Sequence, residues 1–99
     1  MFTDIVGYTA LMGSDEDKAF EVLRKSREIH IKSINQFKGK LIKEMGDGML
    51  AQFDTAIDSV LCAIEIQKQS GKQIKEKILI GLHLGDITFV LEDIFGEGV

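Results

Sequence analysis

The sequence contains no proline, no tryptophan and only one cysteine, Cys62. Without proline, its sharp turns depend on its 10 glycines and on asparagine or aspartate. A single cysteine can form no internal disulfide, which fits a reducing compartment and excludes a cysteine-rich zinc site. We therefore expect a cytoplasmic location for this segment, with any membrane attachment of the parent protein supplied by segments outside it.

Long apolar runs and an excess of positive charge are missing as well. No run approaches the roughly 20 residues of a membrane span. The first residues carry acids instead of the basic start of a signal peptide, so we expect no membrane contact within this segment. With 12 basic and 16 acidic residues the net charge is −4, which excludes a broad nucleic-acid-binding surface but leaves room for a single nucleotide.

The composition that remains is that of an ordinary globular domain, with 99 residues of which 44% are hydrophobic. Apolar and β-branched runs predict strands over 1–6, 40–45, 49–53, 78–84 and 87–91, and helical spacing predicts helices over 15–37 and from 55 to about 70. This βαββαβ order, followed by one more strand, predicts an α+β, ferredoxin-like fold. Its sheet is antiparallel and its helices pack on one face.

Two aspartates stand at positions where a metal site can form. Asp4 lies where the first strand gives way to a glycine turn, and Asp47 lies between the two glycines of a predicted hairpin. The first strand of such a sheet lies beside the hairpin strands, so the two carboxylates can converge. Paired carboxylates are common ligands of Mg²⁺ or Mn²⁺. The alternative is that each is an ordinary turn aspartate.

The turn after the first strand is a candidate phosphate site. Gly7, Tyr8 and Thr9 lead toward a helix, whose first backbone N–H groups can bind phosphate oxygens. One glycine is weak evidence, and the sequence contains no Walker-type P-loop. An ordinary strand-to-helix turn is the alternative.

Four stretches together resemble the catalytic domain of the class III nucleotidyl cyclases. In chain order they are FTDIVGYT at 2–9, KEMGDG at 43–48, IGLHLG at 80–85 and DIFGEGV at 93–99. They occur in the order and at the spacing of the family, from one end of the chain to the other. The resemblance implies conversion of a nucleoside triphosphate to its 3′,5′-cyclic monophosphate and pyrophosphate.

The resemblance also implies roles for individual residues. Asp4 and Asp47 match the two aspartates that bind a pair of Mg²⁺ or Mn²⁺ ions and support catalysis. Ile5 matches a position that contributes its backbone carbonyl to the metal site. The stretch 7–9 matches the turn that holds the β- and γ-phosphates.

Lys43 matches the lysine that reads the purine base in this family, and Asp93 matches its partner. A lysine can donate a hydrogen bond to N1 of adenine, and an aspartate can accept one from the exocyclic amine. Guanine presents the opposite pattern at these two atoms, so we expect ATP as the substrate. Without the resemblance, Lys43 would be interpreted as an exposed strand lysine and Asp93 as a loop acid.

The family builds its active sites between two chains, so the resemblance implies a homodimer with shared sites. The metal aspartates come from one chain and the purine-reading pair from the other. The resemblance implies a truncation at both ends. The family domain has residues before position 1 that complete the first strand, and after position 99 it continues into a helix with an asparagine and a catalytic arginine. We therefore interpret 1–99 as a partial class III cyclase domain, and we expect the isolated chain to be inactive or nearly so.

Two other functions remain open. The same scaffold can serve as a non-catalytic nucleotide-binding or dimerisation module, although the presence of both metal aspartates and both base-reading residues favours an enzyme. A generic ferredoxin-like binding domain would make the match of four segments a coincidence. The sequence thus favours a dimeric adenylate cyclase domain that uses two metal ions, and it leaves the regulation of the parent protein open.

Overall fold

Five strands and three helices make up the part of the chain, residues 1–84 and 87–91, that the computed structural model describes. In chain order they are β1 (Phe2–Ile5), α1 (Tyr8–Ser14), α2 (Glu16–Gln36), β2 (Lys40–Met45), β3 (Gly48–Gln52), α3 (Ala56–Gln73), β4 (Ile78–Leu84) and β5 (Ile87–Leu91). The strands form one antiparallel sheet in the order β2-β3-β1-β4-β5. The first four strands have the ferredoxin-like order, so the predicted α+β fold is confirmed.

Helix α1 is an element that the sequence pattern did not predict. The residues after the turn at 7–9 form a helix of their own, and Asp15 separates it from α2. The Asp15 backbone N–H donates to the carbonyl of Leu11 at 2.7 Å, while its carboxylate accepts from the N–H of Lys18 at 3.1 Å. Asp15 therefore ends one helix and begins the next, which explains why the predicted start of α2 lies close to the observed one.

The two faces of the sheet differ in what covers them. Along β1, Thr3 and Ile5 are buried while Phe2 and Asp4 are exposed, as the alternation of a strand requires. The buried side packs with α2 and α3 into one core, whose most enclosed side chains include Ile34, Cys62, Ile66, Ile78 and Ile80. We call the other side of the sheet the open face.

One cross-strand row runs over the open face from edge to edge. Its members lie directly opposite one another in the strand pairings and therefore share a face: Lys43, Leu50, Phe2, Gly81 and Val90. The Phe2 ring lies where a Cβ of Gly81 would be, so the missing side chain makes room for it. Phe2 is nevertheless 39% exposed and Val90 59% exposed, so the open face presents apolar side chains to its surroundings. Among the described residues, no helix is long and apolar enough to cross a membrane.

The β2–β3 hairpin approaches β1 very closely. The backbone N–H of Met49 donates to the buried Thr3 hydroxyl at 3.3 Å. A Cβ at Gly48 would collide with the backbone carbonyl oxygen of Thr3, so only glycine fits between the two strands at this point. Gly48 thus fixes how near the hairpin tip comes to the end of β1.

The variant Gly48→Ala should lower the free energy of unfolding by about 1–3 kcal/mol, because the added methyl group forces β1 and β3 apart. Gly71→Ala is the matched control. The space around Gly71 in α3 is open, and alanine favours a helix there by up to about 1 kcal/mol. Denaturant unfolding measures both variants. An unchanged midpoint for Gly48→Ala would contradict the close approach.

Candidate functional site

The carboxylate of Asp47 is held at the tip of the β2–β3 hairpin by the backbone of β1. Its Oδ2 atom accepts a hydrogen bond from the N–H of Ile5 at 2.8 Å, across 42 positions of sequence. The Ile5 side chain is part of the core and only 3% exposed. The hydrogen bond therefore ties the tip of the hairpin to a strand end that the core holds in place.

The carboxyl group of Asp4 lies beside that of Asp47. Asp4 is an exposed residue at the end of β1, on the open face. A hydrogen bond with the Asp47 side chain is the main cause that raises the pKa of Asp4 to about 6, with partial burial and the negative charge of Asp47 adding to it. Two carboxylates this close favour a shared proton when no cation lies between them. The structure thus brings the two aspartates together, as the sequence predicted.

The turn after β1 gives α1 a start with available N–H groups. Gly7 has φ 78° and ψ 10°, a left-handed conformation that favours glycine, and its carbonyl accepts from the N–H of Leu11 at 3.0 Å. The first N–H groups of a helix have no partner within it, and no side chain caps this one. These donors point out of the helix start at Tyr8 and Thr9, next to the aspartates.

An open cleft of about 330 Å³ joins the carboxylates to the turn. Its lining consists of Asp4, Ile5, Val6, Gly7, Tyr8, Thr9, Ala10 and Asp47. Six of the eight predicted site residues therefore lie together, and sequence reasoning missed only the neighbours Val6 and Ala10, which carry no chemical signal of their own. A larger cavity of about 460 Å³ elsewhere has no aspartate, glutamate, lysine or arginine in its lining.

The two predicted base-reading residues do not lie in this cleft. Lys43 is an exposed residue of β2, separated from Asp4 by the whole of β3. Across the sheet this is two strand spacings, or about 10 Å, and Asp4 also lies two residues further along β1 than Phe2, which shares the row of Lys43. Lys43 nevertheless lies on the same open face as Asp4. Asp93 lies outside the described residues.

The oxygen donors around the cleft suit a hard divalent cation. The described residues contain no group of three or more histidine, cysteine, aspartate or glutamate side chains that could hold a metal. A cation held by Asp4 and Asp47 would complete its coordination with a backbone carbonyl, water or phosphate, which is the usual way that proteins bind Mg²⁺. The side chains of Asp4 and Asp47 are within hydrogen-bonding reach of each other, so a cation between them would replace the proton that they share. The donor set therefore fits the expected metal.

The fold also resembles that of a solved cyclase. The guanylyl cyclase Cya2 has a TM-score of 0.60 and 19% sequence identity over 92% of this chain. The likeness therefore concerns the fold. No protein-family model matches the sequence.

A relative in Rhizobium meliloti (strain 1021), named "Putative adenylate cyclase 3", is 32% identical over 104 residues and spans 97% of this chain. The chain belongs to the class III nucleotidyl cyclases. This chain spans only 18% of the length of that relative and 60% of the solved Cya2 chain.

In this member of the cyclase family, the carboxyl group of Asp4 should titrate near pH 6, since the hydrogen bond with Asp47 raises its pKa. The Asp4 carboxyl group then binds its proton more tightly in the folded state than in the unfolded state. Its contribution to the free energy of unfolding therefore decreases as the pH rises from 3.8 to 6. Asp47→Asn keeps an acceptor for the Ile5 N–H but removes the charge, so the pKa of Asp4 should fall toward 3.8. Carboxyl ¹³C NMR titration measures both proteins, and equal pKa values would contradict the pairing.

Proposed function

We propose that the full-length protein containing this chain is an adenylate cyclase, which converts ATP to 3′,5′-cyclic AMP and pyrophosphate. The observation that carries the proposal is the pairing of Asp4 with Asp47 at the mouth of a strand-to-helix turn. The pair offers a place for divalent cations, and the start of α1 offers N–H donors for phosphate oxygens. A metal–triphosphate complex needs both within one cleft.

Each part of the cleft has a distinct role in this proposal. The carboxylates of Asp4 and Asp47, with the backbone carbonyl of Ile5, would hold two Mg²⁺ or Mn²⁺ ions. Bound there, the ions polarise the 3′-hydroxyl group and neutralise charge on the departing pyrophosphate. The backbone at Gly7, Tyr8 and Thr9 would hold the β- and γ-phosphates, so that the triphosphate stays extended across the cleft.

The reaction is one intramolecular displacement. The 3′-oxygen forms a bond to the α-phosphorus while the bond from that phosphorus to the oxygen bridging toward the β-phosphorus breaks. Pyrophosphate leaves with that oxygen, and the hydroxyl proton passes to solvent. By holding the phosphates at 7–9 and the α-phosphate near Asp4 and Asp47, the cleft would align the attacking and leaving oxygens.

The choice of ATP rests on Lys43 and Asp93. The Lys43 ammonium group would donate to N1 of adenine, and the Asp93 carboxylate would accept from the exocyclic amine. The named relatives include an adenylate cyclase and a guanylyl cyclase, so the base preference is argued from these two residues and not from the relatives.

We further propose that two copies share their active sites. Lys43 lies on the open face but away from the cleft of its own chain, so a partner chain is needed to bring a lysine to the base. The exposed Phe2 and Val90 on that face give a partner apolar surface to cover. In this homodimer each site would combine the aspartates of one chain with the lysine of the other.

Asp47→Asn in the full-length protein should reduce cyclic AMP formation by about 100-fold or more, because one metal-binding charge is lost from the transition state. Initial rates with ATP and Mn²⁺ measure the loss. Asp54→Asn is the matched control, since Asp54 is an exposed aspartate between β3 and α3, away from the cleft. Its rate should stay near that of the unchanged protein.

Full activity of Asp47→Asn would contradict the proposed active site. If the unchanged protein instead bound ATP and Mn²⁺ in calorimetry but formed no cyclic AMP, a non-catalytic nucleotide-binding module would be the better assignment. Loss of activity in Asp54→Asn to the same extent would point to a general effect of surface charge.

Shared sites predict that two variants with impaired sites restore each other when the ATP concentration is well below its KM. A homodimer of Asp47→Asn or of Lys43→Ala has a defect in both sites, whereas a mixed dimer has both defects in one site and none in the other. Equal mixing after subunit exchange should therefore recover about a quarter of the original cyclic AMP rate, as expected for a two-fold dimer. Activity that stays at the level of the single variants would contradict the sharing of sites between chains.

A further inference from the structure

A bidentate ion pair connects Arg27 of α2 to Glu44 of β2, the residue next to Lys43. Arg27 Nε donates to Glu44 Oε1 at 2.8 Å, and Arg27 Nη2 donates to Glu44 Oε2 at 3.4 Å. The two residues are 17 positions apart and belong to different layers of the fold. Two further ion pairs of α2, Arg24–Glu28 and Lys25–Glu21, join residues within the helix.

The strand that receives this contact lies at an edge of the sheet and has an irregular pairing. β2 is the last strand in the sheet order and pairs with β3. A shift of register between Leu41 and Lys43 interrupts that pairing immediately before the lysine. A bulge in an edge strand changes the local twist, so the direction of the next side chains depends on additional contacts.

Glu44 and Lys43 point to opposite faces of the sheet. Glu44 lies opposite Met49, which is 5% exposed on the helix-covered face, whereas Lys43 lies opposite Leu50 in the row on the open face. Successive side chains of a strand alternate in this way. A contact that holds Glu44 against α2 therefore also sets the direction in which Lys43 leaves the strand.

We propose that Arg27 is a positioning residue for base recognition. Its planar guanidinium group holds both carboxylate oxygens of Glu44 and thereby orients Lys43 toward the purine. This inference rests on the proposed function, in which Lys43 reads the base. The Arg27 and Glu44 side chains are 53% and 43% exposed, so their pair contributes little to global stability. Its effect should appear in nucleotide selectivity.

The test compares Arg27→Ala with Arg24→Ala in the full-length protein. Both variants remove an exposed arginine and one ion pair from the same helix, but only Arg27 contacts β2. Arg27→Ala should raise the KM for ATP and lower the ratio of kcat/KM for ATP to that for GTP, each by about three- to fivefold, the range that an exposed ion pair supports. The kcat for ATP should change by less than about twofold, since Lys43 reads the base in substrate and transition state alike.

Two further variants distinguish the effect of the bidentate contact from the effect of the positive charge at position 27. Arg27→Lys keeps the charge but cannot match two carboxylate oxygens, so it should recover only part of the selectivity. The exchanged pair Arg27→Glu with Glu44→Arg should recover most of it, whereas either exchange alone should not. Equal changes in Arg27→Ala and Arg24→Ala, or unchanged selectivity in Arg27→Ala, would overturn the inference.

Hydrogen exchange of the β2 backbone amides tests the positioning role of Arg27 without a measurement of enzyme activity. In Arg27→Ala the β2 backbone amides should exchange faster than in the unchanged protein, while in Arg24→Ala they should not. If the unchanged protein formed no cyclic nucleotide, the proposed function would fail, and exchange would still decide whether Arg27 orders β2. Equal β2 exchange rates in all three proteins would overturn the positioning role.

Discussion

The candidate site depends on a single hydrogen bond, from the backbone N–H of Ile5 to the carboxylate of Asp47. This bond holds the tip of the β2–β3 hairpin against the end of β1. It can form because Gly48 lets the hairpin lie against the carbonyl of Thr3. Once Asp47 is held there, its carboxylate stands beside Asp4, and the pKa of Asp4 rises as a result. The electrostatics of the cleft thus follow from the close packing of two backbones.

Asp4 shows why the pair deserves a functional interpretation. It lies on the exposed face of β1, so the main cause of its raised pKa is the hydrogen bond with one specific neighbour and not burial. A fold gains nothing in stability from two carboxylates that must share a proton, and such pairs are common at functional sites. The ferredoxin-like fold alone would not have indicated this, because many unrelated activities use it.

Much of the fold and part of the site could be predicted from local sequence. The apolar and β-branched run at β1, the glycines beside Asp47 and the helical spacing of α2 and α3 all reflect interactions between residues close in sequence. Helix α1 was not predicted because it lacks the usual sequence signals of a helix: it has no acidic first turn, no side-chain cap and no buried residue. The contact between Arg27 and Glu44 depends on the register of β2 after its bulge, and a single sequence carries no signal for that register.

The irregular pairing of β2 has a second consequence, for how copies of the molecule meet. A regular, apolar strand at the edge of a sheet is a template onto which another chain can add its own strand. β2 exposes the apolar Ile42 and Met45, but its pairing carries a register shift, and its charged residues Lys40, Lys43 and Glu44 are exposed as well. These features make continuous intermolecular sheets, and the aggregates they lead to, unfavourable at this edge.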